Sequence, residues 1–160
     1  MASKLYRLES DGGRGHIAHT VHVLPDGDMA RAYDLVNVTH SGGFAWGYPG
    51  AGPTALGSSI VADIFGESPQ LYWTEATRGR LHGRAVMDRF LIDLAPAIDV
   101  HVLDADEIQA FCLGREKTCR RCGGTGIEPQ TDTPVEQYPP GGPCFRCEGL
   151  KLEAERVVTH

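Results

Sequence analysis

The chain has 160 residues and a formal net charge of −6, and 41% of its residues are hydrophobic. A chain of this size and composition buries a hydrophobic core, which excludes disorder throughout. The acidic balance excludes a generally basic nucleic-acid coat and disfavours attachment to anionic membranes. No apolar run approaches the roughly 20 residues of a membrane span, and the N-terminus lacks a signal-peptide core, so we expect a cytoplasmic protein.

The N-terminal part of the chain predicts β-structure. Residues 4–8 and 15–24 form two candidate strands. In the second segment, Ile17, His19, Val21 and Val23 alternate with residues of the opposite face. Residues 31–38 predict a third strand.

A helix is predicted over residues 54–66, where apolar residues recur at helical spacing. Pro53 suits its first turn and Gly66 suits its end. Gly57 lies inside this helix, where glycine costs about 1 kcal/mol relative to alanine. We therefore expect Gly57 to allow close packing of the helix against the sheet.

Three further elements follow. Residues 83–95 predict a second helix, with a strand as the alternative for part of it, and residues 99–103 predict a short strand. Asp104 and Glu107 have the spacing of a capping box before a third helix, which Gly114 ends.

These elements predict an α+β domain over residues 1–114, with a small antiparallel sheet and two or three helices. Residues 115–160 are predicted to form a loop-rich C-terminal subdomain that is stapled by zinc, because of the spacing of its cysteines.

A glycine-rich stretch covers residues 41–53. Phe44, Trp46 and Tyr48 occupy alternate positions, so on a strand they would share one face. Core packing is the first interpretation of these aromatic residues, and a surface for a ligand or partner is the second. Gly50 and Gly52 precede a helix N-terminus, where backbone N–H groups and the helix dipole favour an anion such as a nucleotide phosphate.

Histidines supply the remaining candidates for the domain. His40 lies beside the glycine-rich stretch and is the histidine that we expect to be functional. A catalytic pair with Ser41 is disfavoured, because neighbours in sequence seldom face each other. His16 and His22 would share a strand face with His19 on the other, which makes a three-histidine metal site geometrically poor.

The segment SGGFAWGYPGAGPTALGSSIVADIFG, residues 41–66, resembles the signature of a family of small proteins found in phages and actinobacteria. That signature is His-Ser followed by Gly-Phe-x-Trp-Gly-Tyr-x-Gly-x-Gly-Pro and an apolar helix. The resemblance covers about residues 1–113, and Pro49 departs from it by stiffening the loop. The family is a domain of unknown function, so the resemblance implies a fold relation and no activity.

The cysteines carry the most specific motif. Four of the five fall into two C-x-x-C pairs, Cys119 with Cys122 and Cys144 with Cys147. Two cysteines three residues apart on a tight turn direct both sulfurs at one ion, and two such turns complete a tetrahedron. The pattern therefore predicts one structural Zn²⁺, with reduced thiols in a flexible tail as the alternative. Cys112 stands apart on an apolar helical face, where we expect a small buried hydrophobe.

The tail also resembles a zinc domain of the DnaJ type over about residues 119–151. The segment CRRCGGTG matches one C-x-x-C-x-G-x-G repeat, and CFRCEGLK matches a second, degenerate repeat in which Lys151 replaces the last glycine. Two repeats build one zinc site rather than two. The resemblance therefore implies a metal site and carries neither client-protein binding nor thiol chemistry.

The positions of the charged residues indicate which partners suit the chain. Arg120 and Arg121 lie beside the first cysteine pair and are candidate contacts to a partner or a phosphate. The overall acidity of the chain disfavours nonspecific nucleic-acid binding.

The sequence shows no recognisable acid–base pair and no open metal site, so enzymatic catalysis is the least favoured functional hypothesis. The sequence instead predicts a non-enzymatic, zinc-containing binding protein with an unidentified protein partner. The phage-type resemblance favours a regulatory or counter-defence factor that acts on a host or phage macromolecule in the cytoplasm of a bacterial cell. The alternative is a protein that binds a nucleotide or other anion at residues 43–53.

Overall fold

The computed structural model describes residues 3–10, 20–39, 42–95, 100–118 and 150–154. Its helices and strands, in chain order, are β1 Lys4–Glu9, β2 Thr20–Pro25, β3 Tyr33–Asp34, α1 Ala51–Ile64, α2 Pro69–Thr74, α3 Arg78–Val86, β4 Val100–Asp104, α4 Ala105–Arg115, β5 Glu116–Thr118 and β6 Leu152–Ala154. A 3₁₀ turn at Met29–Arg31 precedes β3, and a π-helical turn at Met87–Leu91 extends α3. This architecture confirms the α+β class.

The central sheet has four antiparallel strands in the order β3-β2-β1-β4. Tyr6 pairs with Val23 and Leu8 pairs with Val21, and all four side chains are buried in the core. Period-two alternation sends the intervening residues, such as Arg7, to the other face. The sheet therefore has one face that packs against the helices.

Three of the four predicted strands are confirmed over their described residues. β1 covers residues 4–8, and β4 covers residues 100–103 of the predicted 99–103. β2 begins at Thr20, and residues 15–19 of that prediction lie outside the described ranges.

The strand predicted over residues 31–38 is wrong over most of its length. Only Tyr33 and Asp34 pair with β2. Asp28 caps a 3₁₀ turn just before them, and the Asn37 side chain accepts a hydrogen bond from the Thr39 backbone N–H at 2.9 Å. Such short polar side chains compete with strand pairing by closing local turns.

Helix α1 confirms the helix predicted over residues 54–66, although it begins three residues earlier at Ala51. Pro53 lies in the first turn, where its missing N–H costs nothing. Gly66 follows the helix with a φ of +66°, the left-handed conformation that ends helices. Leu56 and Ile60 are completely buried against the sheet residues of the core.

The helix predicted over residues 83–95 begins earlier, at Arg78, and no strand forms there. Its start is set by side chains. The Glu67 carboxylate accepts hydrogen bonds from the backbone N–H groups of Arg78 and Gly79 at 2.8 Å each, and Thr77 is the N-cap. Capping by a carboxylate eleven residues upstream leaves no local signal in the sequence.

The prediction that Gly57 packs against the sheet is wrong, because Gly57 faces helix α3. A β-carbon at Gly57 would overlap the carbonyl oxygen of Gly83, and one at Gly83 would overlap the Ser58 side chain. The two helices therefore cross with their backbones in contact, which only glycine at both positions permits.

Helix α4 begins as predicted and ends later. Asp104 is its N-cap and accepts a hydrogen bond from the Asp106 backbone N–H at 2.8 Å, so the capping prediction for Asp104 is confirmed. The helix passes through Gly114 and ends at Arg115, directly before β5. Cys112 is completely buried in the core, as predicted, and burial raises the pKa of its thiol to about 12.

Among the described residues, none of the helices combines the length and apolar character that a membrane crossing requires.

The contact between α1 and α3 predicts that Gly83→Ala lowers the free energy of unfolding by about 1–3 kcal/mol or more, as overpacked cores do. Gly114→Ala is the matched control, since a β-carbon there meets no atom within 4 Å and alanine favours the helix. Urea unfolding of both variants checks this, and equal stabilities for both would contradict a close crossing.

Candidate functional site

The described part of the tail is a two-stranded stem. β5 and β6 pair antiparallel, with Thr118 opposite Leu152 and Glu116 opposite Ala154. Thr118 directly precedes the first cysteine pair, and Leu152 lies five residues after Cys147. The pairing therefore brings together the two ends of the segment that contains both C-x-x-C pairs.

Several predicted site residues lie outside the described ranges. These are Cys119, Cys122, Cys144, Cys147, Arg120, Arg121 and His40. Within the described residues, no group of three or more histidine, cysteine, aspartate or glutamate side chains is arranged to hold a metal ion.

Glu116, the first residue of the stem, is held by side chains of α3. The Arg78 guanidinium donates two hydrogen bonds to its carboxylate, from Nε to Oε1 at 2.7 Å and from Nη2 to Oε2 at 3.3 Å. His82 Nε2 lies 2.9 Å from the same Oε1. Only 9% of the Glu116 side chain is exposed, so this carboxylate anchors the stem to the helical layer.

The hydrogen bonds around His82 assign its protonation. The ring is completely buried, and Arg115 Nη1 lies 3.1 Å from Nδ1. An arginine only donates, so Nδ1 accepts and the proton of a neutral ring is on Nε2, which donates to Glu116. Burial, opposed by Glu116, lowers the pKa of His82 and favours this neutral form.

Glu116 is held in its ionised form. Burial acts to raise the pKa of Glu116, but the hydrogen bonds from Arg78 and His82 outweigh it and leave the pKa below its usual value. A carboxylate that is fixed between two donors is a structural anchor.

A second carboxylate, Asp63 of α1, connects the helix to the sheet. Tyr6 Oη donates to Asp63 Oδ2 at 2.7 Å, and Tyr33 Oη donates to Oδ1 at 2.8 Å. Lys4 Nζ lies 3.3 Å from Oδ2. Burial, together with the Asp63 charge, raises the pKa of Tyr6, so its hydroxyl stays protonated and donating.

The glycine-rich stretch forms a loop rather than a strand. Gly43 and Gly47 have φ values of +148° and +87°, and the Gly47 backbone N–H donates to the Leu91 carbonyl at 2.9 Å. Phe44 and Trp46 are buried, with 7% and 2% exposed. Both belong to the core, which agrees with the first interpretation of these aromatic residues.

Tyr48 gives a structural reason for the two glycines that follow it. A β-carbon at Gly50 would lie 2.9 Å from Tyr48 Cε2, and one at Gly52 would lie 3.3 Å from the Tyr48 hydroxyl. The half-buried ring therefore packs over the backbone that leads into α1. Roles of Tyr48, Gly50 and Gly52 in binding stay predictions.

Sequence reasoning missed both polar clusters. Arg78 and His82 are four residues apart, a spacing that places two side chains on one helix face. That spacing is a signal, but the partner Glu116 lies 34 residues beyond His82. Only the tertiary fold brings them together.

Comparison with protein families identifies most of the domain that precedes the stem. Residues 11–111 match a family described as a family of unknown function, DUF6166. The chain belongs to the DUF6166 family. The match confirms the expectation of a domain of unknown function, and the DUF6166 region ends within α4, before the stem. No curated protein and no solved structure matches the chain significantly.

His82 predicts a specific pH dependence. Its folded-state pKa lies below the unfolded value near 6.5, so the unfolded chain binds the extra proton and stability falls as the pH drops below about 6.5. A single group contributes at most about 1.4 kcal/mol per pH unit. His82→Gln keeps a donor toward Glu116 and cannot titrate, so its stability should fall less between pH 6.5 and 5.5.

Urea unfolding of both proteins at the two pH values checks this, because the two proteins differ only at residue 82. Parallel losses of stability in wild type and His82→Gln would contradict a buried neutral His82.

Proposed function

We propose that this member of the DUF6166 family is a non-enzymatic binding protein whose C-terminal tail is held together by one structural Zn²⁺. Cys119, Cys122, Cys144 and Cys147 supply the four thiolates. The resemblance to small proteins of phages and actinobacteria favours a regulatory or counter-defence role, in the bacterial cytoplasm, on a host or phage macromolecule.

The pairing of β5 with β6 carries the zinc proposal. Paired strands lie about 5 Å apart, so Thr118 and Leu152 are neighbours. Cys119 follows Thr118 directly, and an extended chain of five residues from Leu152 back to Cys147 spans at most about 17 Å. The stem is therefore compatible with ligation of one ion by both C-x-x-C pairs.

The chemistry of the donor set supports zinc in particular. Four thiolates form the closed tetrahedral set of structural zinc sites, with Zn–S distances of about 2.3 Å. Such a site leaves no coordination position for a substrate, so the ion cross-links the tail and does no catalysis. The tail has 46 residues, with ten prolines and glycines among residues 123–143. Its few apolar residues bury little surface, so a metal cross-link contributes more to its stability than apolar packing does.

Binding rather than catalysis is supported by the state of the described polar clusters. His82 is completely buried and its two ring nitrogens contact Arg115 and Glu116. A general base must reach the substrate proton within about 3 Å, directly or through one water. A histidine in this position stabilises the fold instead.

The alternative, an anion or nucleotide site at residues 43–53, receives no added support. The Tyr48 ring packs over Gly50 and Gly52, so a ligand at the start of α1 would have to displace it.

Zinc content tests the proposal. Protein purified without chelator should contain one zinc per chain by elemental analysis. Cys122→Ser should lose the metal because it removes one of four ligands, whereas Cys112→Ala should retain it because Cys112 lies in the domain core. Absence of zinc from the wild type, or retention by Cys122→Ser, would contradict the proposed site.

A further inference from the structure

Helix α2 presents an exposed aromatic surface. Trp73 is 56% exposed and Leu71 is 37% exposed, and none of the six residues of α2 is buried. The Tyr72 ring packs edge-on against Trp73, with ring centroids 5.1 Å apart and an interplanar angle of 80°. An exposed indole on a helix that contributes nothing to the core is typical of a contact surface.

Helix α3 adds positive charge beside this surface. It carries three arginines and no acidic residue within nine residues, in a chain whose net charge is −6. Arg78 binds Glu116. Arg80 and Arg84 are both exposed and lie one helical turn apart. The helix is therefore cationic within a chain that is acidic overall.

The two features adjoin each other. Arg80 Nη1 donates a hydrogen bond to the carbonyl oxygen of Glu75 at 3.2 Å. Glu75 is the C-cap of α2, two residues after Trp73. The guanidinium thus lies at the end of α2 that carries the indole, and an arginine and an aromatic ring face solvent together.

We propose that this α2–α3 surface, Leu71–Trp73 with Arg80 and Arg84, binds single-stranded nucleic acid. Base stacking on aromatic rings and arginine contacts to phosphates are the two interactions by which proteins bind single strands without reading their sequence. A duplex fits less well, because its bases are already stacked and its denser charge would meet the acidic remainder of the chain. This inference rests on the proposed function only because both assume that the protein binds a macromolecule. It does not depend on zinc.

Fluorescence anisotropy with a fluorescein-labelled oligothymidine, longer than the roughly 16 nucleotides of a large single-strand site, tests the proposal. Trp73→Ala should weaken binding by roughly 5- to 150-fold, the range for loss of one stacked base. Trp73→Phe should retain most of the affinity. These side chains are exposed, so each variant should melt at the wild-type temperature.

Charge is tested separately. Arg84→Gln should reduce the slope of log affinity against log salt by about 0.7, the value for one phosphate contact to a single strand. Arg31→Gln is the matched control, because Arg31 is an exposed arginine that pairs with Asp26 at 3.0 Å beside the sheet. It should leave both affinity and slope unchanged.

Tryptophan emission supplies a second readout from the unlabelled protein. The chain has two tryptophans, and Trp46 is only 2% exposed. Unlabelled oligothymidine should therefore quench Trp73 emission, and Trp73→Phe should remove the quenching.

Four results would overturn the inference. The first is no binding of oligothymidine up to about 100 µM at low salt, the upper range for nonspecific sites, and the second is wild-type affinity in Trp73→Ala. The third is equally tight binding of a duplex, and the fourth is equal competition by polyglutamate, which would favour an acidic protein partner. Zinc content measured on the same samples separates the two proposals. Protein that contains one zinc and fails to bind oligothymidine contradicts this inference alone.

Discussion

Two glycine backbones in contact determine where the rest of the helical layer lies. Gly57 of α1 and Gly83 of α3 leave no room for a β-carbon on either helix. α1 packs on the sheet through Leu56 and Ile60, so the close crossing holds α3 near the core. His82, the neighbour of Gly83, is buried as a consequence, and it points toward the stem that begins at Glu116.

The Glu116 anchor connects the stem to the helical layer of the domain. A buried carboxylate is costly unless its oxygens are hydrogen-bonded, and here both oxygens face Arg78 and one also faces His82. Removing one partner of a fully buried pair typically costs about 3–5 kcal/mol, and the cost is smaller here because the Arg78 side chain is 31% exposed. The DUF6166 domain therefore holds the first strand of the tail through charge and hydrogen bonding rather than through apolar packing.

Local signals in the sequence predicted the elements that are governed by local chemistry. The apolar spacing of α1, its end at Gly66 and the Asp104 cap all depend on residues within a few positions of one another. The prediction failed at residues 31–38, where the turns closed by Asp28 and Asn37 replaced a strand. The predicted packing partner of Gly57 was also wrong, because the tertiary structure determines which elements a helix packs against.

The candidate site divides in the same way. The spacing of the four cysteines predicts a ligand set without any fold, because it is a local property of the sequence. The cluster of Arg78, His82 and Glu116 joins residues that are far apart in sequence, and the exposure of Trp73 depends on what the fold leaves uncovered. Both therefore required the structure.

The central claim is that zinc closes a tail whose stem is anchored on the DUF6166 domain. Hydrogen–deuterium exchange of the full chain, with zinc bound and after chelation, tests it most directly. Chelation should remove protection from peptides that cover β5 and β6 and leave β1 and α1 protected, since their core is complete without the tail. Unchanged exchange in β5 and β6 after removal of the metal, or loss of protection throughout the chain, would contradict the account.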